Sequence, residues 1–476
     1  MTGLFTAAQV RGAEQAAMAG LRPGVLMQRA ATGLATVCLG LLGRAHGVRV
    51  VLLVGSGDNG GDALFAGAVL AARGAQVTAV LLAPDRAHAA GVAALRRAGG
   101  RFGGADALAR ADLVLDGIVG IGGSGGLRDD AVALVRAAVA GPGLLVAVDV
   151  PSGVAADTGE VPGEAFPAQH TVTFGAVKTG LVVGAGRGYA GTLHLVDIGL
   201  GAHLPAPDAE QLTDADVAAH LDPPGAGEDK YSRGVVGVIA GSATYPGAGV
   251  LCTGAALRAR PGLVRYAGTA AEGVKAAWPE ALVTSGRPGA AGRVQAWVVG
   301  PGMGTDDAAR SVLAEVLATD LPVVVDADAL TLVAQHPQLV GDRAAPTVLT
   351  PHDREFARLF GEVGGDRVAA ARRGAKALGC TVLLKGDATV VADAGGTTYV
   401  NATGTSWLAT AGTGDVLAGV LGAFLSTGLA PAEAAAVAAH VHGRAGQLAA
   451  GQGPLIAGDL VRSLPRTLAR LRGVAG

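Results

Sequence analysis

Aromatic side chains make up only 3% of this 476-residue chain. A core built from large rings is excluded, so Ala, Val and Leu must fill it, and 77 glycines let backbones approach closely. Cysteine is scarce too. Cys38, Cys252 and Cys380 stand far apart and match neither a zinc spacing nor a Cys-x-x-Cys pair. A disulfide scaffold is excluded, and three buried, reduced thiols of a cytoplasmic protein are expected. No long run of Lys or Arg occurs and the formal net charge is −2. Neither nucleic acid nor an anionic membrane is an expected partner. The first twenty residues mix Gln9, Arg11, Glu14 and Gln15 with alanines, unlike a signal peptide. The most apolar later run, Val416 to Leu425, is too short to span a bilayer.

What is abundant is alternation. Strand-like runs at 49–54, 76–82, 113–115 and 144–148 are separated by Ala-rich helical stretches at 62–73 and 130–140. The pattern returns at 235–240, 296–299, 322–325, 347–349 and 381–384, with helices at 308–318 and 367–378. It predicts βαβ units and largely parallel sheets with helices on both faces. A Pro- and Gly-rich stretch at 199–230, holding a short capped helix at 213–220, reads as the linker. Two α/β domains are expected, 1–210 and 211–476.

In the first half three polar loops follow predicted strands, where open α/β sheets bind ligands. One is Gly57-Asp58-Asn59-Gly60-Gly61-Asp62, which opens a helix and suits phosphate. It lacks the glycine spacing of the dinucleotide fingerprint. The second runs from Asp116 through Gly120, Ile121, Gly122, Gly123, Ser124, Gly125 and Gly126. The third is Val148-Asp149-Val150-Pro151-Ser152-Gly153. Oxygen donors from Asn59, Asp116 and Ser152 suit a hard monovalent or divalent cation.

In the second half, Gly412-Thr413-Gly414-Asp415 leads into an apolar helix. Such a turn aims N–H groups at an anion, and Asp415 beside it is placed to take a proton from a hydroxyl while a phosphoryl group is held. Lys385-Gly386-Asp387-Ala388-Thr389 ends a strand, where the lysine suits nucleotide phosphates. Thr350-Pro351-His352 places a histidine at a strand end, suited to ligand contact. Asp326 and Asp328 either position water or magnesium or cap the helix that follows.

The first half resembles the YjeF N-terminal family of NAD(P)H-hydrate epimerases. Residues 57–62, 116–126, 148–153 and 156–159 carry the likeness, with 171–175, Lys178 and 197–199. The resemblance implies a Rossmann-like three-layer sandwich that interconverts the R and S epimers of hydrated NADH and NADPH. It implies potassium on Asn59, Asp116 and Ser152, and the hydrated nucleotide on Asp58, Asn59, Gly60, Gly61, Asp62, residues 120–126 and Asp149. Asp149 is the candidate acid or base, with Lys178 behind it. The chain departs from the family at Asp58, where Asn is usual, and at Gln28, where Glu is common.

The second half resembles the YjeF C-terminal family of ADP- or ATP-dependent NAD(P)H-hydrate dehydratases, which are ribokinase-like α/β/α proteins. Gly300-Pro301-Gly302-Met303-Gly304, residues 326–330, Thr350-Pro351-His352 and residues 412–415 occur in the family's order. The resemblance implies that Ala248, Gly302, His352 and Asp415 contact the S epimer. It places the adenine nucleotide on residues 385–389 and Gly414, with ADP the expected co-substrate, ATP the alternative, and Mg²⁺. The expected protein is a bifunctional repair enzyme, with homo-oligomers permitted by Gly- and Ala-rich helix faces. The alternatives are a ribokinase-like small-molecule kinase, or a dehydratase carrying a non-catalytic N-terminal binding module.

Overall fold

Parallel pairing is what the β–α alternation produces. The computed structural model describes residues 1–473 apart from Ser124, Pro224, Ala226, Glu228, Arg260, Pro261, Ser285 and Gln452. The chain forms two compact units, Gly3–Ala209 and Glu210–Gly476, with Met1–Thr2 belonging to the second.

In the first unit the strands run in the order Arg101–Phe102, Gln76–Leu81, Arg49–Val54, Leu113–Gly117, Leu144–Val148, His170–Phe174 and Thr192–Val196. Every neighbouring pair is parallel. Alternate residues of the central strand feed two cores. Val50, Leu52 and Val54 face a core that includes helices Val25–Leu42 and Asp58–Ala72. Val51 and Leu53 face helix Asp129–Ala140. The result is a three-layer sandwich, and its strand order reverses between Arg49–Val54 and Leu113–Gly117, the kind of point at which open α/β sheets bind ligands.

Two sequence expectations change here. Helix Asp58–Ala72 begins four residues before the expected Asp62, capped by Gly57. Asp58 fits this first turn because a carboxylate there meets the positive end of the helix dipole. The longest apolar helix is Val25–Leu42, which by length and composition alone suffices to cross a bilayer. Its stripe Leu26, Ala30, Ala31, Leu34, Ala35 and Cys38 is buried at helical spacing in the core.

In the second unit parallel strands run in the order Leu282–Val283, Leu263–Tyr266, Val235–Ile239, Ala296–Val299, Val323–Val325, Thr347–Leu349 and Thr381–Leu384. Thr389–Ala392 and Thr398–Asn401 then join antiparallel, because the turns before them are too short for a crossover helix. The expected linker is structured in part. Glu210 pairs with Tyr399, and Thr213 caps helix Asp214–Ala218 in a reciprocal box with Asp216. Helix Thr413–Leu425 is buried along most of its length. It crosses Pro246–Ala259 so closely that a Cβ on Gly419 would lie 2.2 Å from the Cys252 carbonyl oxygen. All three cysteines are free and buried, as their scarcity implied.

Candidate active sites

The first site lies at the carboxyl ends of three adjacent strands. Gly55 donates its N–H to Gly117 O at 3.0 Å, and a Cβ on Gly55 would fall 1.9 Å from Ile118 O. Only glycine permits that approach. Asp116 is fully buried. Its Oδ1 accepts from Ser152 Oγ at 2.6 Å and Ile118 N at 3.2 Å, and its Oδ2 from Ser152 N at 2.8 Å. Ser152 Oγ also accepts from Val119 N at 2.9 Å. Asn59 lies under the same segment, since a Cβ on Gly120 would meet Asn59 Oδ1 at 2.8 Å. The structure thus gathers Asn59, Asp116 and Ser152 around Ile118–Gly120.

Among the described residues every partner of the Asp116 carboxylate is neutral. Burial pushes this carboxyl up to about 6 against the pull of the Ser152 and Ile118 donors. Asn59 Nδ2 is buried without a partner among the described residues. A buried carboxylate lacking a counter-charge, with Ser152 Oγ upon it and Asn59 Oδ1 under the same segment, fits a hard cation.

Asp149 follows strand Leu144–Val148 with φ +66°, a left-handed conformation that costs a non-glycine residue energy and aims the side chain sharply. Its Oδ1 accepts from Lys178 Nζ at 2.5 Å, and from Thr173 Oγ1 and Phe174 N at 3.2 Å. Lys178 is 1% exposed and also donates to Thr173 Oγ1 and Phe174 O. Lys178 is therefore the fixed partner of Asp149. Asp62, Glu14 and Asp58 share this electrostatic environment. Burial, then Asp149, Asp58 and Glu14, hold the Asp62 carboxyl well above the ordinary carboxylate value against the pull of Lys178. Burial and Asp149 raise Glu14 as well. Glu14 carried no signal in the sequence, because helix Ala7–Met18 that brings it here precedes every motif. Of the glycine-rich loop, Gly123 N bonds Gly120 O, Arg11 reaches Ile121 O at 2.8 Å, and a Cβ on Gly122 would lie 3.7 Å from the same Arg11. Gly125 takes φ +78° and Gly126 lies beside Gly163. Ser124 lies outside the described residues. Gly60 and Gly61 are buried in the first turn of helix Asp58–Ala72, with Asp58 exposed at its start.

The second site centres on Lys385. Its Nζ donates to Asp326 Oδ1 at 2.8 Å and lies 3.7 Å from Glu355 Oε2. Burial works against the lysine's charge, but Asp326, Glu355 and Asp415 hold its ammonium above the ordinary value. Asp326 also accepts from Thr350 Oγ1 at 2.8 Å, and Asp328 accepts from Gly304 N at 2.9 Å. Gly412 adopts φ +86° as the cap of helix Thr413–Leu425, placing Asp415 in the first turn. Burial and the neighbouring Asp326 push the Asp415 carboxyl up to about 7, with Lys385 opposing. His352 caps helix Asp353–Phe360: its Nδ1 accepts from Arg354 N and Glu355 N, while Glu355 returns the bond to His352 N at 2.8 Å. The ring's other edge stays half-exposed.

A cavity of about 650 Å³ opens here, lined by His352, Lys385, Gly386, Asp387, Thr389 and Gly414 among others. Ala388 sits in the same turn with its methyl buried. Ala248 and Gly302 do not line this cavity. They meet each other beside Tyr245, where a Cβ on Gly302 would lie 2.9 Å from Ala248 Cβ. The sequence reading missed His442, a lining residue whose Nε2 contacts Thr413 O at 2.9 Å. Burial pushes this imidazole down to about 4. One of two histidines, with His440, inside the Ala-rich helix Pro431–Ala450 was its only trace.

Residues 23–180 match the family described as YjeF-related protein N-terminus, and residues 236–468 match NAD(P)H-hydrate dehydratase. A bifunctional NAD(P)H-hydrate repair enzyme of Mycobacterium leprae is 53% identical over 99% of both chains. One of Escherichia coli is 33% identical, with 96% of this chain and 92% of that one aligned. The crystal structure of an ADP/ATP-dependent NAD(P)H-hydrate dehydratase from Bacillus subtilis, co-crystallized with ATP and Mg²⁺, aligns with TM-score 0.50 and 29% identity, covering 55% of this chain and 99% of that one. A ribokinase-like superfamily protein from Enterococcus faecalis aligns with TM-score 0.51 at 26% identity, covering 56% and 96%. With relatedness of this extent along both halves, the chain belongs to the family of bifunctional NAD(P)H-hydrate repair enzymes.

Proposed function

We propose that residues 1–210 epimerise the R and S forms of hydrated NADH and NADPH, and that residues 211–476 dehydrate the S form at the expense of ADP or ATP. The observation that carries the second assignment is Asp415. It lies in the first turn of a helix that offers unpaired N–H groups to an anion, where burial and Asp326 push its carboxyl up to about 7. Asp415 takes the proton of the ring hydroxyl as that oxygen attacks the terminal phosphate of the nucleotide. The helix start at Gly412–Asp415 holds the charge that spreads over the phosphoryl oxygens. Phosphate then leaves from the carbon, driven by the ring nitrogen, and NADH or NADPH is restored. Lys385, Gly386, Asp387, Ala388, Thr389 and Gly414 bind the nucleotide, and Ala248, Gly302 and His352 the hydrate.

Three carboxylates, Asp326, Glu355 and Asp415, surround the single ammonium of Lys385, and that excess of negative charge fits Mg²⁺. Asp326 and Glu355 would hold the ion, which neutralises phosphate charge when bound. In the first unit, Asn59, Asp116 and Ser152 would hold K⁺, supported by the uncompensated Asp116 carboxylate. Residues 58–62 and 120–126 grip the hydrated nucleotide, and Asp149, held by Lys178, is the base. Three buried free thiols agree with a reducing cytoplasm.

The test uses the purified protein with mixed R and S NADH hydrate, Mg²⁺ and either ADP or ATP, following restored NADH absorbance. Complete recovery faster than spontaneous interconversion of the epimers is expected. Recovery that halts at the S fraction overturns the epimerase assignment, and no recovery with either donor overturns the dehydratase.

A further inference from the structure

The epimerase crevice contains more acid groups than one cation can neutralise. Lys178 is committed to Asp149 through a direct 2.5 Å contact with Oδ1. Asp62 has no such partner, and its Oδ1 is sealed from solvent without a hydrogen bond among the described residues. Around Asp62 stand Asp58 on its own helix, Glu14 with Arg11 beside it on helix Ala7–Met18, and the pair Asp149 and Lys178. His88 packs on the adjoining Gly61, where a Cβ would meet its ring at 3.1 Å. Only Asp149 among these carboxyl groups has the fixed ammonium. An ionised Asp62 would add a second, uncompensated negative charge to the same crevice, which burial disfavours. Asp149 therefore sits against an ammonium, whereas Asp62 is left without a counter-charge or a hydrogen bond to its Oδ1 among the described residues. Two carboxyl groups in environments this different are what an acid–base pair requires.

We propose that Asp62 is the general acid of the epimerase and Asp149 its general base, the two acting together at the hydrated carbon of the nicotinamide ring. The inference rests on the epimerase reading of the first unit. In the forward step the bond between that carbon and its hydroxyl oxygen breaks, and both electrons leave with the oxygen. The oxygen takes the Asp62 proton and departs as water, while the ring nitrogen lone pair forms a carbon–nitrogen double bond. A water adds to the opposite face, forming the new carbon–oxygen bond as Asp149 accepts one of its protons. The double-bond electrons return to nitrogen, and proton return from Asp149 to Asp62 resets the site. No oxidant, reductant or further reactant is consumed.

The experiment uses the full-length protein, R-epimer substrate, ADP or ATP, and Mg²⁺. A calorimetric transition of residues 3–209 unchanged from wild type reports that the epimerase unit is folded, and dehydration of pure S epimer reports the same for residues 211–476. Wild type must first convert R epimer faster than the uncatalysed rate; failure there removes the epimerase reading itself and is distinct from failure of the Asp62 assignment. Asp62→Asn keeps the shape and loses the proton. It is expected to lower epimerisation kcat by about 10²–10⁴-fold with KM changed only a few-fold. Asp62→Glu is expected to recover part of that loss. In ¹⁸O-labelled water, each epimerised hydrate should carry a labelled oxygen. A kcat within threefold of wild type in Asp62→Asn, a loss confined to KM, or retention of the original oxygen overturns the proposal.

Discussion

Lys385 reaches Asp326 across 2.8 Å, joining the ends of strands Thr381–Leu384 and Val323–Val325, with Thr350 Oγ1 on the same carboxylate oxygen. Asp326 is 1% exposed, so its charge is balanced mainly by this ammonium. The backbone supports the arrangement. Ala327 adopts φ +51°, and a Cβ on Gly300 would lie 1.9 Å from Asp326 O. Asp415 lies within the field of both groups, so its proton affinity depends on how they are paired.

That dependence gives the first prediction. A general base must be ionised, and burial with Asp326 raises Asp415 to about 7. Dehydration kcat/KM should fall about tenfold per pH unit below pH ~7. Lys385 pulls the Asp415 pKa down, so Lys385→Met should move this acid limb to higher pH as well as weaken nucleotide binding. Asp415→Asn should lose about 10²–10⁴-fold in kcat. Initial rates on pure S epimer between pH 5.5 and 8.5 check all three, and an acid limb left in place by Lys385→Met would contradict the assigned coupling.

Potassium binding supplies the second. Asp116 is buried with neutral partners only, so a bound cation should stabilise the unit that contains it. A ligand at about 100 times its Kd adds about 2.7 kcal/mol. Scanning calorimetry in KCl against LiCl at equal ionic strength should show a higher Tm for the transition of residues 3–209 in K⁺. Asp116→Asn should abolish the difference. Equal midpoints in both salts for wild type would remove potassium from the site.

Much of this was legible in the sequence because glycine and strand-end polar residues mark close approaches. Gly55 carries a contact and Gly412 a φ value that only glycine tolerates well, so the chemistry requires that composition. What was not legible depends on pairing in three dimensions. Lys178 reads as a weaker candidate catalyst, yet its ammonium is fully committed to Asp149, Thr173 and Phe174. Glu14 enters the crevice from an N-terminal helix, and His442 enters the cavity from a C-terminal one, each remote from any motif. Helix Asp58–Ala72 starts four residues before the pattern predicts, because two successive glycines, Gly60 and Gly61, read as turn. Both are tolerated in the helix because Cβ atoms there would meet Gly55 O at 2.4 Å and Met27 Cε at 3.0 Å.

His442 predicts how the second unit responds to acid. Its folded value of about 4 lies below the ordinary 6.5, so the folded state favours the neutral ring. The stability this provides is complete above pH ~6.5 and is lost as pH falls toward ~4, by up to about 3 kcal/mol. His442→Gln keeps a donor for Thr413 O but does not titrate. Urea unfolding at pH 7.5 and pH 5.0 should show a smaller loss for the variant than for wild type. An equal loss would assign the acid sensitivity to other groups.

Gly55 allows the two activities to be separated without touching a titratable group. A Cβ there would overlap Ile118 O at 1.9 Å, a main-chain atom that no rotamer change relieves. Gly55→Ala must therefore displace the Ile118–Gly120 segment, against which Asn59 and Ser152 are set. Misplacement of positioned groups by about 1 Å costs about 10²-fold in rate. R-epimer conversion should fall by that order, while S-epimer dehydration, carried by residues of the other compact unit, should stay within about twofold because no group it needs has moved. Parallel loss of both rates would mean that the two reactions share residues near Gly55, and full retention of epimerisation would mean that the Ile118–Gly120 segment does not position the reacting nucleotide.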